Sequence, residues 1–380
     1  MKIAFLVEFF VQGRSGGIHQ AGGGERKYYE LSKALVKMGH EVHVYCHEHR
    51  NGLRGLVNGI HIHRLGVHTD IYHYTRRIFY IKDLIINIPS LLKFDILNTA
   101  LFIPAAPTYI IGKLNSIPVT LMVDDLFTMD VAKTNLPLHA ALACIASERL
   151  NSTLSFNAIF VPTQTVKRKL IWFGYPRNKI YVIYNGVDLE LFDSIPQQNR
   201  NQIIVVSRLI PYKGVHHIID VYSELKETYK NIPPLTIIGS YEGYPLYKQI
   251  RDKALKAGCK FLGFIPDNRE VAKQFKKSLI NILFSDFEGF GLTIVEAAAC
   301  GTPSIVKDIP ACREVMEKLG LEELLVKDKR ELKERIIELL TDDEKRRKLG
   351  EKARRNVEKY FTWNKAAEQM VNIWKNISVG

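Results

Sequence analysis

The sequence predicts an α/β protein made of two doubly wound, parallel-sheet domains. Three observations carry that prediction. Short apolar runs alternate with amphipathic stretches through most of the 380 residues, as in strands buried on both faces beneath covering helices. The alternation restarts after a polar, proline-containing stretch, Ser194 to Asn201. The length itself corresponds to about two domains.

In the first half, Ile3 to Val7 reads as the opening strand. Glu25 to Met38 reads as a helix with Tyr28, Leu31, Leu35 and Met38 on one face, ended by Gly39. Strands follow at Glu41 to Cys46, Gly59 to Leu65, Phe94 to Asn98, Val119 to Val123, Ala158 to Val161 and Lys179 to Ile183, with a helix over Leu138 to Leu150. A linker is placed at 185–200, between a first domain of 1–184 and a second of 201–362. The second half begins with the strand Gln202 to Val206 and a helix from Val215 to Tyr229. It continues with strands at Leu235 to Ile238, Lys260 to Leu262, Ile280 to Phe284 and Pro303 to Val306. Leu292 to Cys300, Glu331 to Leu340 and Asp343 to Tyr360 read as helices, and Trp363 to Ile377 as a last amphipathic one.

The net charge is +13, with 21 Lys+Arg against 14 Asp+Glu in residues 1–190 and 32 against 26 in 191–380. A positive field spread over both halves favours anionic partners such as nucleotide diphosphates or phospholipid surfaces. Zinc-finger and RNA-recognition patterns are absent, so nucleic acid is not expected. The five cysteines are scattered with no C-x-x-C pair, which argues against a disulfide framework or structural zinc. Nine of the twelve histidines fall between His19 and His73; they are read as surface and loop residues, and no metal site is expected. No run reaches the ~20 apolar residues that span a bilayer, so a cytoplasmic protein is expected. Tyr72 to Lys93 mixes Arg76, Arg77, Lys82 and Lys93 with aromatic and aliphatic residues. That segment suits an anionic membrane face, or else an ordinary helix with its apolar side in the core.

The most informative stretch is Ser285-Asp-Phe-Glu288-Gly289-Phe290-Gly291-Leu292, running on to Glu296 and Pro303. It joins a buried strand to a helix through a glycine-rich turn. The helix N-terminus attracts an anion such as a diphosphate, and glycines at 289 and 291 admit close backbone approach. Glu288 falls in the turn, and Glu296 about one helical turn inside, where it can accept hydrogen bonds from hydroxyls. A second basic element, Arg208-Leu-Ile-Pro-Tyr-Lys213-Gly214, follows the strand Gln202 to Val206. Two fixed cations there stabilise charge on a leaving diphosphate.

These residues resemble the E-x7-E signature and the Arg…Lys-Gly element of the retaining family-4 glycosyltransferases, enzymes of the GT-B fold. The resemblance implies two Rossmann-like domains facing across a cleft, acceptor mostly on the first and nucleotide-sugar donor mostly on the second. It implies a final helix that returns to the first domain, hence 363–380 with 1–184. It assigns the diphosphate to Arg208 and Lys213, the transferred sugar to Glu288, and the ribose to Glu296. Phe290, Gly291 and Leu292 would offer backbone N–H groups, and Phe264 would shape the base pocket. Gly22-Gly23-Gly24-Glu25-Arg26 resembles the family's Gly-Gly-x-Glu-Arg loop. After Val123 the family often has His-Asp where this chain has Asp124-Asp125; Asp124 can accept from a sugar hydroxyl or act as a base toward the acceptor. The expected reaction moves a sugar from a UDP- or GDP-sugar to a glycan or lipid-linked acceptor with retention and with no metal or other cofactor. The alternatives are a nucleotide-sugar epimerase of the same fold and a non-catalytic nucleotide-sugar or membrane-binding protein.

Overall fold

The computed structural model describes residues 1–14, 17–19, 22–48, 52–67, 78–128, 138–239 and 246–378. They divide into two compact units. The first comprises the described residues up to 185 together with 363–378; the second runs from 186 to 362.

The first unit is built on an eight-stranded sheet in the order Ile180–Val182, Ala158–Val161, Val119–Met122, Ile96–Ala100, Lys2–Val7, Glu41–His47, Ile60–Leu65, Gly55–Val57. All neighbours are parallel except the last pair, a hairpin turned at Asn58 (φ 50°) and Gly59 (φ 79°). Positive φ at both positions is what an Asn-Gly turn supplies, and this edge strand was missed by the sequence reading. The helix Ala105–Leu114 was missed as well. Its prolines stand at 104 and 107, at the helix start, where a missing N–H breaks no intrahelical bond. In place of the Tyr72 to Lys93 segment stand the helices Ile78–Ile86 and Ile88–Leu91, while Tyr72 to Arg77 lie outside the described residues.

The helix Trp363–Ser378 belongs to this first unit and packs on the helix Gly23–Lys37. Trp374 is fully buried, edge-on to Phe5 and Phe160 at 6.3 and 6.1 Å, and its indole N–H donates to Thr120 Oγ1 at 3.2 Å. The histidine expectation needs correction at four positions. His43, His61 and His63 are half-buried on one face of the paired strands Glu41–His47 and Ile60–Leu65, because parallel register sets His43 beside His61 and Tyr45 beside His63. His47 is buried and stacked on Tyr80.

The second unit holds a six-stranded, all-parallel sheet in the order Lys260–Gly263, Leu235–Ile238, Gln202–Val206, Ser278–Leu283, Ser304–Lys307, Leu325–Val326. Strand order reverses at Gln202–Val206, so the loops leaving that strand and its neighbour Ser278–Leu283 flank the switch point where open α/β sheets bind ligands. Residues 186–200, expected as a linker, lie in this unit. They include the helix Leu189–Asp193, capped by Asp188, whose carboxylate accepts from the Leu191 N–H at 3.2 Å; Val187 N–H donates to Phe361 O at 3.0 Å. The cysteines are free thiols, and all but Cys144 are buried.

Candidate functional site

In the second unit two loops at the switch point bring the basic pair and the first glutamate together. The chain leaves Val206, crosses Arg208, makes the short turn Pro211–Lys213, and enters the helix Val215–Thr228 through Gly214 at φ 65°. A Cβ on Gly214 would lie 2.1 Å from the Phe284 carbonyl oxygen, so the basic loop is seated directly on the end of the next strand. Gly239, at φ 142°, meets the other side of this loop: a Cβ there would lie 1.8 Å from Ser207 O. The second loop is tied to the first by Asp286 N–H, which donates to Tyr212 O at 2.7 Å, and by Tyr212 and Phe287, whose rings lie 4.5 Å apart.

Lys213 Nζ lies 2.5 Å from Glu288 Oε1. Both side chains are largely buried, at 12% and 13% exposure, and Ser285 Oγ donates to the same carboxylate oxygen at 2.9 Å. Arg208 is exposed, with its guanidinium donating to the Tyr212 hydroxyl at 3.0 Å. Gly291, at φ 86°, caps the helix Leu292–Ala299, and Glu296 sits one turn inside that helix at 3% exposure. Gly289 is half-buried in the turn. The Phe290 ring points into the core against Phe361, 5.7 Å away. Phe264, 44% exposed, follows Gly263 at φ 67°. Ser285 and Tyr212 were not singled out in the sequence; each lies in a quoted motif, and only the fold shows which carboxylate or guanidinium it holds.

In the first unit, the helix Gly23–Lys37 starts just after Gly22, with Gly23 and Gly24 exposed. Space is open around Gly24: a Cβ there meets nothing within 4 Å. Asp124 follows the strand Val119–Met122 and is held by Lys27 Nζ at 2.5 Å. Lys27 is 4% exposed, whereas Asp124 opens to solvent. Sequence reasoning missed Lys27, although a signal existed: it lies four residues before Leu31 and seven before Ala34, on the buried stripe of its helix. The neighbouring Asp125 takes Lys169 at 2.8 Å. The following loop is anchored by buried Glu148, which accepts from the N–H groups of Phe127 and Thr128 at 2.6 and 2.9 Å. Burial nonetheless pushes the Glu148 carboxyl above the ordinary carboxylate range.

A cavity of about 750 Å³ lies elsewhere in the second unit, lined by Arg200, Arg346 and Arg354 among others. Those cations already have partners. Arg200 donates to Cys300 O, Thr302 Oγ1 and Ser278 O, Arg346 pairs with Asp343, and Arg354 pairs with Asp193.

Two family profiles match the chain in tandem. The one described as Glycosyltransferase Family 4 covers residues 21–191, and the one described as Glycosyl transferases group 1 covers 188–356. An uncharacterized glycosyltransferase of Methanocaldococcus jannaschii is 29% identical over 206 residues, covering 53% of this chain and 55% of the relative. The chain spans about half the length of the first curated relatives it matches, 53–55%. Among solved structures, a sucrose-phosphate synthase from Thermosynechococcus elongatus superposes with a TM-score of 0.80 at 18% identity, covering 100% of both chains. HepE of Anabaena, solved with UDP and glucose, gives 0.73 at 18% identity, covering 99% of this chain and 100% of that one.

Proposed function

Because the chain belongs to the group 1, family-4 glycosyltransferases, we propose that it transfers a sugar from a nucleotide-diphosphate sugar to an acceptor hydroxyl with retention of configuration. The observation that carries this reading is the Lys213–Glu288 pair beside the N-terminus of the helix that bears Glu296. Cleavage of the sugar–oxygen bond leaves the electron pair on the β-phosphate. Lys213 and Arg208 offset that charge, and the first N–H groups of the helix Leu292–Ala299 add to them. With the diphosphate bound, the Lys213 ammonium is shared between Glu288 and phosphate, and Glu288 is turned toward the sugar hydroxyls. Retention follows if the acceptor hydroxyl attacks from the face the phosphate leaves, its proton passing to the departing phosphate oxygen. Two cations at the diphosphate take the place of a metal, so transfer is expected to persist in EDTA.

The relative crystallised with UDP and glucose favours a uridine donor. In a thermal-shift panel of UDP, GDP, ADP and their sugar conjugates, UDP compounds are expected to raise the midpoint with or without EDTA. Glu296→Ala is expected to lower that affinity by about 10-fold or more, since a hydrogen bond to a charged group is worth about 1.5–3 kcal/mol. No shift with any nucleotide overturns the reading. On the first unit, Asp124, steadied by Lys27, is assigned to an acceptor or sugar hydroxyl, and the Gly22–Gly24 turn to close approach of a ligand.

A lipid-linked acceptor is favoured by the exposed apolar residues Ile85, Ile86 and Leu92, interspersed with exposed Lys82 and Lys93. Among the described residues no helix is long and apolar enough to cross a membrane, so surface contact is the form proposed. The expected result is sedimentation with phosphatidylglycerol vesicles, weakened by salt, and not with phosphatidylcholine. Equal binding to both kinds, or to neither, removes the anionic-membrane proposal.

A further inference from the structure

Glu41, His43 and His61 place their ligand atoms within 4.8 Å of one another on the first sheet. Strand geometry brings this about. Residues 41 and 43 are two apart on one strand and share a face, and parallel register sets His61 directly beside His43. The two imidazole rings stack 4.4 Å apart at 14°. His43 Nε2 lies 2.9 Å from Glu41 Oε1. Its other nitrogen, Nδ1, lies 2.9 Å from His63 Nε2, so a third histidine fixes how His43 presents itself. Phe94 closes the side of the group, edge-on to His43 at 4.9 Å.

We propose that Glu41, His43 and His61 form a binding site for a divalent metal of the zinc class, with His63 orienting His43. Two imidazoles and one carboxylate are a ligand set suited to Zn²⁺, with a fourth position left to water. Bonds of about 2.1 Å to a shared ion draw ligand atoms to roughly 3–4 Å apart. Side-chain rotation supplies the difference while the strand pairing stays in place. Lys2, whose ammonium now lies 2.9 Å from Glu41 Oε1, is displaced when the ion binds. The hydrogen bond that His43 Nδ1–H then donates to His63 Nε2 is the outer-shell contact that fixes a ligating imidazole.

The group lies at the beginnings of its strands, Glu41–His47 and Ile60–Leu65. The Gly22–Gly24 turn and Asp124 instead follow strand ends. The ion therefore clips two strands together and takes no part in transfer, so this proposal and the glycosyltransferase reading stand or fall separately.

The test is a zinc titration of the EDTA-stripped full chain against a chromophoric zinc indicator. Wild type should take up one equivalent, with a rise in thermal midpoint. His61→Ala and Glu41→Gln should each weaken binding at least 10-fold and abolish that rise, and His63→Ala should weaken binding about 10–100-fold. No uptake by wild type, or undiminished uptake by both ligand variants, overturns the proposal. Should a variant fail to fold, X-ray absorption of Co²⁺-loaded wild type decides. Two imidazole ligands support the site, and fewer exclude it.

Discussion

Lys213→Ala is expected to lower turnover by about 10²–10³-fold, the usual loss when one donor to a developing anion is removed. The lysine interacts most strongly once the leaving diphosphate has gained its charge, so the KM for the intact nucleotide sugar should change far less than kcat. The same substitution has a structural cost. Glu288 is 13% exposed and keeps the hydrogen bond from the Ser285 hydroxyl, and leaving a buried carboxylate without its cation typically costs about 3–5 kcal/mol. The two effects separate in a double-mutant cycle. Adding Glu288→Gln to Lys213→Ala should restore much of the thermal midpoint and none of the turnover. Recovery of both together would mean that the single variant failed only because it left the Glu288 carboxylate unpaired, and would overturn the role of Lys213 at the diphosphate.

Gly214→Ala is the second large effect, and it acts through the backbone. At φ 65° an alanine costs about 1–2 kcal/mol from conformation alone. Its Cβ also falls 2.1 Å from the Phe284 carbonyl oxygen, a backbone atom that cannot swing aside. The basic loop must therefore lift from the strand end, which carries Lys213 away from Glu288. Activity and stability should fall together, with the midpoint lowered by several degrees. Gly24→Ala is the matched control: its Cβ meets nothing and its position is the first turn of a helix, so stability should hold or rise slightly. A Gly214→Ala enzyme with normal kinetics would show that the loop's seating on Phe284 is irrelevant to the chemistry.

Much of this was legible in the sequence, for identifiable reasons. Strands buried on both faces, such as Gln202–Val206 and Ser278–Leu283, declare themselves as apolar runs, and the Gly289 and Gly291 turn announces a loop that must come close to something. The hairpin at Asn58-Gly59 carried its turn signal in plain view, yet its strand Gly55–Val57 is only three residues long and half exposed, too short for alternation to register. Residues 186–200 looked like a connector because they open on a turn and run into the polar, proline-containing stretch from Ser194; their attachment includes a contact between Val187 and Phe361, 174 positions away, which composition does not report. Pairings such as Lys27 with Asp124 and His43 with His61 depend on which strands and helices become neighbours. Periodicity along the chain shows the face of an element but not what that face meets.

The helix Trp363–Ser378 has a consequence for synthesis. Trp374 fills the first sheet beside Phe5 and Phe160, yet the ribosome makes it after all of residues 186–362. The second unit can therefore fold as soon as it emerges, while the first waits for residues 363–378 to complete its core. Domains usually mature in the order they are made; of these two units, the one begun first is completed second.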